Sequence, residues 1–478
     1  MLKALIVAAD SVEPNIILKN KELFPTFNRL IEQGVSSAYS AYVQKGYYGS
    51  YSSEQNWASI YTGFEPGEHQ INTSNVRGEI RQPVMNDFDE LQPFWEVLNE
   101  YGLSVGLWAA VACDSPVPIN GYTVAVGYET INTPIHNREA PRHIQFCTKD
   151  ISVAYCLNGE PPPRLYPKTL AQQGYSFEEL KRNPSLAEEA VSKYCFQDAL
   201  PNFKAELDYW STAIMRTQAE HPVDVLYLFT PTTDLIAHCS MCCDNNPVLL
   251  SAYQMLDETM GELIDALKPE ISIFLSDHGQ QNFKDLIPCS DKAVQKEAFA
   301  ARDDVLWLQN GYIAFEAHNG ALLFTAHALK GTFIAAGKGI RPASISGMRT
   351  VDIYPTLLEM FDIQIPECRF GFVMDVFDKE VINEEKLYKP NAIKRKSIGL
   401  LQTHSVSITD IVINELYIAN RFADITVIGI AKYEEIFLGN PRVAGFVPFD
   451  NFKMSDYDEV YCGYYDDVNK QMYHTRIF

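Results

Sequence analysis

The chain has 478 residues, of which 46% are hydrophobic, 21% charged and 12% aromatic, a composition that excludes a disordered or fibrous protein. That length exceeds what one hydrophobic core usually organises, so a large main domain with an insertion or an appended module is expected. A net charge of −22, spread along the chain, excludes duplex nucleic acid as a partner, whereas a small anion is still admitted because bound divalent cations reverse the local field. No run approaches the roughly 18 apolar residues of a membrane span, and the first apolar run is too short for a signal peptide. Ten cysteines without secretory signals read as reduced thiols, and a cytoplasmic protein is expected.

In chain order, residues 2–9 form an apolar strand ending at Asp10, and residues 23–32 carry Phe24, Phe27, Leu30 and Ile31 at helical spacing. Short apolar runs at 104–109, 223–229, 271–275 and 332–336 read as buried strands, with helical patterns at 249–267 and 351–361. Strands alternating with helices predict an α/β fold, a mostly parallel central sheet with helices on both faces. The stretch 112–215 breaks that rhythm with Pro161, Pro162 and Pro163 and a helix near 198–219, and is expected to be an inserted cap. After about 376, a charged segment precedes further apolar runs at 408–413 and 425–430, which predicts a C-terminal module over 376–478 beside a main domain of 1–375.

Asp and His residues fall beside the strand ends. Asp10 ends the first strand, Asp234 and His238 follow 223–229, Asp277 and His278 follow 271–275, and His327 follows an apolar run at 321–324. Ligands in open α/β sheets collect beyond the carboxyl ends of strands, so these six side chains are expected to converge on one crevice. Imidazole and carboxylate together suit a borderline cation, zinc before manganese. Two such ions about 3.5 to 4 Å apart clamp the attacking and leaving oxygens of an in-line displacement. Ser53 supplies a candidate hydroxyl nucleophile, and Ser52 offers the same group one residue earlier.

Each residue also has a plainer reading. An aspartate at a strand end is commonly a helix cap or turn residue. His238 with Cys239, Cys242 and Cys243 resembles half of a structural zinc site, but no second pair accompanies it, so packed thiols are the simpler account. His69, His136, His143, His221, His318, His404 and His474 read as surface or satisfied core histidines, with contact to substrate an alternative for His136 and His143 in the insertion.

Taken in order, several segments resemble the type I phosphodiesterase/nucleotide pyrophosphatase branch of the alkaline phosphatase superfamily. They are the strand into Asp10; Asn56-Trp57-Ala58-Ser59-Ile60-Tyr61-Thr62-Gly63 with Pro66-Gly67-Glu68-His69; Thr232-Thr233-Asp234 to His238; Ser276-Asp277-His278-Gly279; and His327 with Gly331-Thr332-Phe333-Ile334. The resemblance implies an alkaline phosphatase-like fold and two divalent metal ions. Asp234, His238 and His327 would hold one ion; Asp10, Asp277 and His278 would hold the other. Ser53 sits where the family has its nucleophile and would itself coordinate a metal ion, which favours its alkoxide, and Asn56 sits where the family donates to a phosphoryl oxygen. It further implies hydrolysis of a phosphodiester or pyrophosphate bond in a small, nucleotide-like substrate through a phosphoryl- or nucleotidyl-serine.

Gln55 stands where the family often has proline, Gln70 where a glycine follows the histidine, and serine replaces threonine at 53. The superfamily also contains phosphomonoesterases and phosphonate hydrolases with similar ligands. The sulfatase branch is disfavoured, because residues 53–57 lack the proline and arginine of its formylglycine motif. A silent binding protein with this fold would have lost a ligand, and none is lost.

Overall fold

Six consecutive apolar residues, Ala4–Ala9, form strand β1, buried along its whole length. In the computed structural model the described residues are 1–41, 53–69, 91–110, 120–125, 145–147, 152–154, 169–193, 199–239, 246–282, 305–307, 313–316, 322–328, 330–366, 370–379, 396–403, 409, 412–413, 416, 423–438, 443–466 and 471–476. Ser52, Gln70, His136, His143, Cys242, Cys243, His318, His404 and the run Pro161 to Pro163 lie outside them.

The chain continues through β2 (Val35–Ser40), β3 (Val105–Trp108), β4 (Gly121–Ala125), β5 (Gln145–Cys147), β6 (Ser152–Ala154), β7 (Val225–Thr230) and β8 (Ile271–Ser276). There follow β9 (Gly279–Asn282), β10 (Val305–Trp307), β11 (Ile313–Glu316), β12 (Leu322–Leu323), β13 (Thr325–Ala328), β14 (Lys330–Gly337) and β15 (Ala343–Ile345). Ten of these strands make one sheet in the order β15-β2-β14-β8-β1-β7-β3-β4-β5-β6. Only β14 and β5 run against the rest, so the sheet is mostly parallel as expected. β7 and β8 are buried at every position, like β1, because helices cover both faces.

The two faces can be told apart by register. Ile6 pairs with Tyr227 and Val7 with Phe274, so those two aromatics point to opposite sides. Phe274 meets Phe27 of the helix Pro25–Gln33; this helix packs with the helix Pro247–Leu267, which packs in turn against the helix Ala199–Glu220. Tyr227 meets Tyr61 and Phe94, from the helices Ser53–Thr62 and Phe94–Glu100 on the other side.

Two observations differ from the expected rhythm. The run at 332–336 becomes β14, which is antiparallel to both neighbours because the short β9 and β13 pair turns the chain back before it enters the sheet. β4, β5 and β6 are short strands without a long apolar run, and they extend the sheet within 112–215 to its edge at β6. In the same stretch Leu170, Phe177, Leu180, Ala187 and Ala190 share a small separate core with Leu306, Leu322 and Phe324.

Residues 396–476 build a second sheet from β16 (Lys396–Leu401), β17 (Ala423–Gly429), β18 (Val443–Pro448), β19 (Glu459–Asp466) and β20 (Gln471–Arg476). Its order is β18-β17-β16-β19-β20, parallel except for β20. Among the described residues no helix is long and apolar enough to cross a membrane.

Candidate metal centre

β1, β7 and β8 lie side by side and end at one edge of the sheet, and the antiparallel β14 begins there. That edge gathers all six candidate ligands. Asp10 leaves β1, and Ser11 then turns the chain away in a left-handed conformation, φ 64°. Asp234 and His238 occupy positions i and i+4 of the helix Thr232–Cys239, which starts just beyond β7, and therefore share one face. Asp277 and His278 follow β8 directly. His327 comes from β13, where the ladder with β9 sets it opposite Gln280.

Asp10, Asp277 and His278 offer donor atoms all within 4.8 Å of one another, and so do Asp234, His278 and His327. His278 thus belongs to both groups. Its Nε2 lies 3.1 Å from Asp277 Oδ2 and 3.5 Å from Asp10 Oδ1. His238 Nε2 lies 3.2 Å from Asp234 Oδ1 and 3.0 Å from His327 Nε2. The His278 and His327 rings stack with centroids 3.7 Å apart.

Backbone carbonyls select the tautomers. His238 Nδ1 is 2.8 Å from the Thr325 carbonyl and His278 Nδ1 is 3.1 Å from that of Gly279. A carbonyl only accepts, so both Nδ1 atoms carry hydrogen and both Nε2 lone pairs face the cluster. Gly279 itself is dictated by packing, since a Cβ there would overlap Glu13 Oε2 and crowd the Lys330 carbonyl.

Ser53 opens the helix Ser53–Thr62. Its hydroxyl donates to Asp10 Oδ1 at 2.9 Å and sits 3.2 Å from His278 Nε2. Asn56, three residues on, shares that helix face and is fully buried. His69, also buried, lies 3.0 Å from Ser59 Oγ and 3.2 Å from the Gln55 carbonyl, holding this helix from behind.

The electrostatics leave a deficit of positive charge. Burial first, then the charges of Asp277 and Asp234, push the Asp10 carboxyl well above the usual range. Burial likewise raises Asp277. Burial also pushes on Asp234, but in the metal-free chain the positive charges that His238 and His327 carry when protonated outweigh it and hold that carboxyl well below the usual range. His278 is driven well down by burial and by its neighbour His327. Among the described residues only histidines pair with these three aspartates, and Asp277 Oδ2, fully buried, has no hydrogen-bond partner. An orphaned carboxylate oxygen among inward imidazole lone pairs is a set of donors that fits divalent cations.

Sequence reasoning missed the supports behind these residues. Thr233 Oγ1 donates to the Asp10 carbonyl at 2.5 Å. Thr232 Oγ1 lies 2.9 Å from a buried Glu206 carboxylate oxygen. Ser11 and Gln280 also stand behind the cluster. No periodicity or spacing marks them, because their partners are remote in the chain.

A mostly parallel α/β sheet with carboxylates, imidazoles and a hydroxyl at the shared strand edge is the architecture of a metal-dependent hydrolase. The chain belongs to the type I phosphodiesterase / nucleotide pyrophosphatase family, whose model matches residues 4–339, and so is a hydrolase of the alkaline phosphatase superfamily, which is metal-dependent. Among solved structures, it is similar to inactive murine ectonucleotide pyrophosphatase / phosphodiesterase 5 in complex with AMP, at 15% identity and TM-score 0.43, covering 77% of this chain and 96% of that one. The human counterpart is 14% identical with TM-score 0.43, covering 79% and 100%. A mutant of alkaline phosphatase PafA is 13% identical with TM-score 0.44, covering 78% and 98%. Among curated proteins none matches the sequence.

Proposed function

We propose that the protein hydrolyses a phosphodiester or pyrophosphate bond in a small, nucleotide-like molecule, with Ser53 as nucleophile. The observation that carries this reading is the placement of Ser53 Oγ, 2.9 Å from Asp10 Oδ1 and 3.2 Å from His278 Nε2, beside both donor groups. Asp234, His238 and His327 hold one cation, and Asp10, Asp277 and His278 the other, zinc before manganese given the nitrogen and oxygen donors. When bound, the pair supplies positive charge for the phosphoryl oxygens and favours the ionised form of a nearby hydroxyl.

The chain's own residues do the rest. Ser53 Oγ bonds to phosphorus as the bond to the leaving oxygen breaks, and water then cleaves the phosphoserine and restores the hydroxyl. Asn56, on the Ser53 face of the helix, donates to a phosphoryl oxygen as charge develops there. The helix start adds N–H groups and the positive end of a dipole beside the anion.

A phosphomonoesterase or phosphonate hydrolase would employ the same groups, so the test compares bis-p-nitrophenyl phosphate with p-nitrophenyl phosphate, with and without added Zn²⁺ or Mn²⁺. Metal-dependent turnover that favours the diester is expected. Preference for the monoester would transfer the reading to the phosphomonoesterases, and inactivity on both together with no bound metal would overturn it.

A further inference from the structure

Behind the ligands a short hydrogen-bonded bridge joins the two donor groups. Gln280 Nε2 donates to Asp234 Oδ1 at 2.9 Å and to Ser11 Oγ at 2.6 Å. Ser11 Oγ in turn lies 2.9 Å from His278 Nδ1, which carries hydrogen. Ser11 N donates to Asp277 Oδ1 at 3.2 Å, and Tyr253 OH donates to the Ser11 carbonyl at 3.1 Å. Each link has one direction, because an amide nitrogen and a protonated ring nitrogen only donate.

Ser11 pays a conformational penalty for this role: it is fully buried at φ 64°, a region that glycine adopts more readily. Backbone strain retained at a buried hydroxyl is the kind of outlier from which function is inferred. We propose that Ser11 and Gln280 are positioning residues of the cation centre. Together they orient Asp234 of one donor group and His278, shared by both, so that the two groups act as a unit. This rests on the two-cation reading given above.

The test uses the full-length chain and Zn²⁺ alone as the probe. Dissociation constants for Zn²⁺ are measured by chelator competition, and the thermal midpoint of the metal-free protein is recorded, for Ser11→Gly, Ser11→Ala, Gln280→Met and Gln280→Glu. Loss of an outer-shell partner typically weakens metal binding about 10- to 100-fold, and that loss is expected in all four variants. Ser11→Gly should keep or raise the metal-free midpoint, since it removes the strained side chain, so its weaker binding cannot come from a weaker fold. Gln280→Met, matched in size but without a donor, should bind no better than Gln280→Glu. Wild-type protein that takes up fewer than two ions would overturn the two-cation reading and this inference with it. Two ions bound by the wild type, with unchanged constants in Ser11→Gly and Gln280→Met, would overturn this inference alone.

Discussion

Ser53 and Asn56 sit three residues apart on one helix yet would do different work, and substitution separates them. Ser53→Ala removes the proposed nucleophile while leaving Asp10, Asp277 and His278 in place, so bound metal should be retained and turnover lost. Unchanged rates in that variant would remove Ser53 from its role. Asn56→Ala removes a donor to the developing charge, and kcat should fall about 10²- to 10³-fold, as read by steady-state kinetics with metal content checked alongside. Ser53 was legible from the sequence because it stands beside Asn56-Trp57 in an ordered motif. Ser11 was not, because only a backbone angle and contacts to residues far along the chain reveal it.

Single elements depend on partners that local sequence does not display. The helix Pro25–Gln33 has Phe24 at its N-cap position and no side-chain cap of its own. The cap arrives from another helix, where Asp257 accepts the Thr26 and Phe27 N–H groups. Asp257→Ala would leave both groups buried and unsatisfied, and a loss of about 2 to 4 kcal/mol is expected, measured by chemical denaturation of the metal-free protein. The strand β14 makes the same point in topology. Its apolar run was plain in the sequence, but its direction was decided by the β9 and β13 pair before it. His327 consequently reaches the site from β13, just ahead of the start of the antiparallel β14, whereas the carboxyl-end rule describes Asp10, Asp234 and Asp277.

At the scale of the whole molecule the cluster makes stability depend on pH and metal. Asp10 and Asp277 have raised folded-state affinities for protons. The folded chain then binds more protons than the unfolded one, so their contribution is present below about pH 4, the ordinary carboxylate range, and is lost as pH rises through the raised values. Asp234 works in the opposite sense, contributing above that range. Relative to an Asp10→Asn, Asp277→Asn double variant, which keeps Asp234 and the histidines, the metal-free thermal midpoint should fall as pH is raised above the ordinary carboxylate range, about pH 4. Added Zn²⁺ should reverse the trend, because cation binding favours ionised ligands, and about 4 kcal/mol of stabilisation is expected at a thousandfold excess over Kd. Scanning fluorimetry across pH, with and without metal, reads both effects.

The sequence by itself determined the α/β class, the strands that are buried on both faces, and the family, because apolar runs and ordered motifs are local signals that survive without a structure. It also nominated the Asp and His residues, since each stands beside a strand end. Only the tertiary structure decided that these six side chains meet, that His278 lies between both donor groups, and that Ser11 and Gln280 stand behind them. The physical reason is that those relations are distances across a folded sheet, fixed by strand order and register, and no spacing along the chain encodes them.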